Sequence, residues 1–158
     1  MDSSIENYET AVREYCALIE VVREVTSSQF VDECLKLVLR LYEGVLCLPE
    51  VPPGTHEVVS RVGSEETSAI RRRVSDRLDK DYYWAPEETW GSDPPQLTAG
   101  MLSDDLADIW QELKDGLLTL DVEGPDRIND VVRHWRFSFE CHWGDHAAGA
   151  ISALHALR

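Results

Sequence analysis

The stretch Phe30-Val31-Asp32-Glu33-Cys34-Leu35-Lys36-Leu37-Val38-Leu39-Arg40-Leu41-Tyr42-Glu43-Gly44-Val45-Leu46 decides the fold class. Phe30, Cys34, Leu37, Leu41 and Val45 recur at three- and four-residue steps as one apolar stripe. Val31, Leu35, Val38, Tyr42 and Leu46 form a second stripe beside it. At about 100° per residue the two cover more than half of a helix circumference. Asp32, Glu33, Lys36, Arg40 and Glu43 fill the narrow strip that remains. A helix apolar over that arc must be surrounded, so this segment is expected at the centre of a helical bundle. A second copy of the chain is the alternative cover, which adds a homo-oligomer to the expectations.

Helical spacing continues on both sides. Upstream, Ile5, Tyr8, Val12, Tyr15, Cys16 and Ile19 keep the same steps. Downstream, a loop over 48–56 holds Pro49, Pro52, Pro53 and Gly54, and a longer one over 82–101 holds Pro86, Pro94 and Pro95. Between them Ile70, Val74 and Leu78 form a thin stripe beside Arg71, Arg72, Arg73 and Arg77. Beyond the second loop, Ser103 is placed to cap a helix whose first turn carries Asp104 and Asp105. Leu102, Leu106, Ile109, Leu113 and Leu117 mark its inner face. Gly124-Pro125-Asp126 opens a final segment with no further proline, read as one long helix or two abutting ones. No run alternates as a strand. The expectation is all-α: one domain over residues 1–158, an irregular bundle of about five helices with a long proline- and tryptophan-bearing loop.

Composition narrows the function classes. The 158 residues include 30 Asp or Glu against 15 Lys or Arg, a net charge of −15. The excess is spread along the chain and argues against nucleic acid or an anionic membrane as partner. No apolar run approaches the ~18 residues of a membrane span, and Met1-Asp2-Ser3-Ser4-Ile5-Glu6 lacks the features of a secretory signal. Cys16, Cys34, Cys47 and Cys141 form no C-x-x-C pair and are expected as reduced, buried thiols. A soluble cytoplasmic protein is the expectation.

Chemistry concentrates in the last third. With the final segment as one helix, Ile128, Val132, Trp135, Phe139, Trp143, Ala150, Ala153 and Leu157 share a face. His146 falls within that stripe and His142 at its edge, whereas His134 and His155 fall outside it. Two histidines four residues apart can face one ion, but they can equally be satisfied by carboxylates or carbonyls. Asp104, Asp108, Glu112 and Asp115 lie opposite the leucine stripe and read as a solvated face. Asp105 lies about a quarter turn from the stripe's centre and can reach inward to a histidine. The candidate polar cluster is therefore Asp104, Asp105, Asp108, His142 and His146, with Asp105, His142 and His146 as the metal candidates. In the second loop Tyr83, Trp84 and Trp90 either pin it to the bundle or form a recognition surface; pinning is the reading adopted. The arginine run is expected to pair with the chain's own carboxylates.

Certain stretches also carry a resemblance. Asp81-Tyr82-Tyr83-Trp84, the segment from Leu102 to Trp110 with Leu113-Lys114-Asp115-Gly116-Leu117, and Trp135 to Glu140 with His142-Trp143-Gly144-Asp145-His146 resemble a bacterial family, domain of unknown function 5063. The resemblance covers mainly residues 78–157. It implies a helical bacterial protein and carries no activity with it.

P-loop, dinucleotide and nucleophile-elbow patterns are absent, which weighs against an ordinary enzyme. The expected function is a non-catalytic module binding a protein partner or small ligand, with no cofactor. The alternative is a divalent-metal-dependent phosphohydrolase, similar to nucleotide pyrophosphohydrolases, using the Asp/His cluster.

Overall fold

The computed structural model describes residues 3–52, 54, 56–87, 90, 93–94 and 96–158. Helices α1 (Ser3–Glu20), α2 (Ser27–Leu46), α3 (Ser64–Ser75) and α4 (Leu102–Glu123) precede a final rod. In that rod, α5 (Ile128–Ser138) runs through a π-helical turn at Phe139–Trp143 into α6 (Gly144–Ala156). Helix α4 packs against α1, α3, α5 and α6, and α2 packs against α1 and α6. The all-α irregular bundle is the architecture observed.

The helix with most neighbours is thus α4, and not α2 as the sequence suggests; the broad α2 stripes are covered by α1 and α6. Phe30, Cys34, Leu37, Leu41 and Val45 are all buried, as are Val31, Leu35 and Val38 of the second stripe. Tyr42 is half-buried and Leu46 is 66% exposed, so the apolar arc narrows toward the end of the helix. Thr26 and Gln29 form a reciprocal capping box at its start. Every apolar residue named in the α1 spacing is buried, as is the leucine face of α4. Helices α4 and α5 approach closely at Gly116, where a Cβ would lie 2.3 Å from Trp135 Nε1. Gly124, at φ +95°, makes the turn between them.

Four further expectations need correction. The long loop is partly sheet: β1 (Tyr82–Pro86) pairs antiparallel with β2 (Leu97–Met101), Trp84 opposite Ala99. Five-residue strands flanked by prolines leave too little alternation to read, and one face of the ribbon is solvated. Ser103 is not the cap of α4, which begins one residue earlier. Asp81 caps from a distance instead, accepting from Ser103 N at 2.7 Å and from Ser103 Oγ at 2.7 Å. Asp115 is buried rather than solvated, since its Oδ1 accepts the backbone N–H groups of Arg61 and Val62 at 2.6 and 2.9 Å. It thereby ties the incoming loop to α4; leaving such amides unsatisfied costs on the order of 1–3 kcal/mol each. Of the four thiols, Cys16 and Cys34 are buried but Cys47 and Cys141 are exposed; all four are free.

Candidate functional site

One face of α4 meets the π turn and α6 along a line of carboxylates and imidazoles. Asp105 is buried at its centre. Its Oδ1 accepts from His146 Nδ1 at 2.7 Å, and its Oδ2 accepts from the Tyr83 hydroxyl at 2.6 Å. A carboxylate can only accept here, so Nδ1 of His146 carries the proton and the neutral ring presents a lone pair at Nε2. That Nε2 points to Asp108, 3.6 Å from Oδ2. One turn along, His142 Nδ1 lies 3.2 Å from Glu112 Oε1, and the His142 and His146 rings meet edge to face at 4.8 Å.

The electrostatics follow from these contacts. The hydrogen bond to Asp105 raises the His146 pKa above its ordinary value, against an opposing effect of burial. Burial raises the Asp108 carboxyl, with His146 pulling it back down. Burial, then the Asp105 hydrogen bond and charge, hold the Tyr83 phenol protonated as a donor.

Tyr83 is seated by two glycines. A Cβ at Gly149 would lie 2.3 Å from its hydroxyl, and one at Gly100 would lie 2.5 Å from Cζ. The space beside Gly149 on α6 is thus occupied by this phenol. The loop is therefore pinned by Tyr83 and not by the tryptophans. Alternation in β1 turns Tyr82, Trp84 and Pro86 outward. Tyr82 is 69% exposed, Trp84 74%, Trp90 88% and Leu97 62%. Leu97 faces Pro86 across the ribbon, extending the apolar outer face.

The structure thus brings together Asp105, Asp108, His142 and His146 of the candidate cluster. Asp104 turns aside to Arg71 at 3.0 Å, which is the pairing expected of the arginine run. The metal candidates change in one member. Asp105 is spent on Nδ1 and Tyr83, and Asp108 is the carboxylate beside Nε2. The histidines sit at a surface seam rather than in the core: His146 is half-buried and His142 exposed. His134, placed outside the stripe by sequence, belongs to the same line, its Nε2 donating to the Glu112 carbonyl at 3.1 Å. A one-residue excess in the rod was the missing signal, and nothing in the spacing announces it.

Among solved structures, the chain is similar to protein BF1032 from Bacteroides fragilis, a structural-genomics target. The two are 26% identical with a TM-score of 0.84, covering 99% of this chain and 93% of that one. No curated protein matches. The family described as Domain of unknown function (DUF5063) matches residues 1–158, extending the likeness of the second half over the first. The chain belongs to that family.

Proposed function

We propose that the chain is a non-catalytic recognition protein whose β-ribbon docks a cationic, apolar segment of a partner protein. One observation carries this reading: Tyr82, Trp84 and Leu97 stand outward on a ribbon anchored from beneath. Exposed aromatic clusters cost solubility and characterise interaction surfaces, where Trp and Tyr supply much of the binding energy. The anchoring supports preorganisation, because Leu102 N also bonds the Asp81 carbonyl at 2.8 Å. A net charge of −15 and exposed Glu87 beside the patch favour a basic partner over a second copy of the chain. The hydrolase alternative has less support, since Arg71, the cation beside the Asp/His cluster, is engaged with Asp104.

A photocrosslinking residue at Trp84, compared with one at the equally exposed Val122 of α4, tests this in cells. A discrete adduct is expected at Trp84 alone, and it should vanish when Tyr82 and Leu97 are changed to Ser. Equal crosslinking at both positions, or none at Trp84, overturns the reading.

A further inference from the structure

We propose that Asp108, His142 and His146 bind one divalent cation of the zinc class. One ligand atom from each of the three lies within 4.8 Å of the other two. Tetrahedral zinc with N and O ligands at ~2.0–2.1 Å needs them roughly 3.3 Å apart, so the cluster must close by about 1.5 Å. Exposed His142 and half-buried Asp108 have the freedom to make that adjustment.

Proximity alone is common among surface acids and histidines. The second observation concerns the far side of each ring. A metal-bound imidazole characteristically donates its other N–H to a carboxylate, which fixes the tautomer and aims the lone pair. Both histidines have that arrangement. Asp105 holds Nδ1 of His146, and Glu112 lies against Nδ1 of His142. In each case Nε2 is left as the coordinating atom. Asp105 is in turn fixed by the Tyr83 hydroxyl, so the orienting carboxylate is itself buried and hydrogen-bonded.

The neighbouring acids divide the remaining work. Asp104 is paired with Arg71, Glu112 with His142, and Asp105 with His146 and Tyr83. Asp108 differs: its carboxylate stands 3.6 Å from His146 Nε2, beyond hydrogen-bond range. An ion between those two atoms would satisfy both. Two imidazoles and one carboxylate suit zinc and similar transition-metal dications over Mg²⁺ or Ca²⁺, which prefer all-oxygen shells. The exposed side of His142 leaves a further coordination position to water. The assignment is one of binding, and it does not depend on the ribbon's having a partner.

Calorimetry with Zn²⁺ alone on the full-length, chelator-treated protein tests it. One site per chain is expected, undisturbed by millimolar Mg²⁺. His142→Ala and Asp108→Asn should each weaken it at least about tenfold, and Asp105→Asn, acting through His146, by about 10- to 100-fold. His142 is exposed, so His142→Ala keeps the fold, which a thermal melt verifies. Nitrogen-15 spectra should show the His146 Nε2 resonance shifting on Zn²⁺ addition while Nδ1 stays protonated. Absence of binding, or binding unchanged in both His142→Ala and Asp108→Asn, overturns the assignment; so does displacement of Zn²⁺ by Mg²⁺.

Discussion

Asp105 uses both carboxylate oxygens, one for an imidazole of α6 and one for a phenol of the ribbon. A single buried charge thus joins three elements, and its sign sets how the protein responds to pH. His146 is faced by Asp104, Asp105 and Asp108 from α4 and by His142 from the π turn, with Tyr83 of the ribbon on the other oxygen of Asp105. Its pKa is raised from 6.5, first by the Asp105 hydrogen bond. A raised histidine stabilises the fold fully below its unfolded pKa, and that contribution disappears as pH rises through the folded value. In chelator-treated protein, stability should therefore fall on raising the pH from about 6.5 through the His146 midpoint. Asp105→Asn should lower the midpoint and flatten this dependence. An NMR titration of the imidazole with parallel melts reads both, and a His146 midpoint below 6.5 contradicts the expectation. Asp105 itself was legible in the sequence from its offset to the leucine stripe. Tyr83 was legible only as one aromatic among several, because its inward direction depends on a strand alternation too short to detect.

The rod of α5 and α6 shows how one extra residue rearranges a site. Between His134 and His142 a regular helix advances about 800°, leaving the two about 80° apart. The π turn absorbs one residue and removes about 100°, which brings both onto Glu112. The same shift places Trp143 over Trp135, whose carbonyl accepts from its Nε1 at 3.4 Å. Straight-helix arithmetic therefore found His142 and His146, which lie in the last part of the interruption and beyond it, and lost His134, which lies before it. Gly144 is the residue that permits the turn. Its N–H donates to the Phe139 carbonyl, five residues back, and a Cβ would lie 2.6 Å from that same oxygen. Backbone cannot yield as a side chain can. Gly144→Ala should cost about 1–3 kcal/mol by denaturant unfolding, in the range of overpacking. It should also separate His142 from Glu112, seen as loss of the cross-peaks between them in NMR spectra. A variant as stable as the parent with those cross-peaks intact contradicts this account of the turn.

Across the whole molecule, burial divides the four cysteines into two chemical classes. The core residues were largely legible, because helical stripes report which face is covered: Cys16 and Cys34 stand on the α1 and α2 stripes. Cys47 and Cys141 were not, since Cys47 follows the last turn of α2 and Cys141 lies within the π turn, where phase is displaced. Burial pushes the Cys16 thiol up to about 12, and it also raises Cys34. The thiolate is the reactive form, so both are inert in the folded protein for want of access and of charge. A chromogenic disulfide reagent at neutral pH should thus find Cys47 and Cys141 promptly, two thiols per chain, and all four only in denaturant. Reaction at Cys16 and Cys34 should follow the opening of α1 from α2 and slow when the fold is stabilised. This couples the slow phase to the packing of α2 against α1 rather than to the ribbon or the Asp/His cluster. Peptide mapping after a brief exposure distinguishes the thiols, and modification of Cys34 as fast as Cys47 in native buffer contradicts the burial of the α2 stripe.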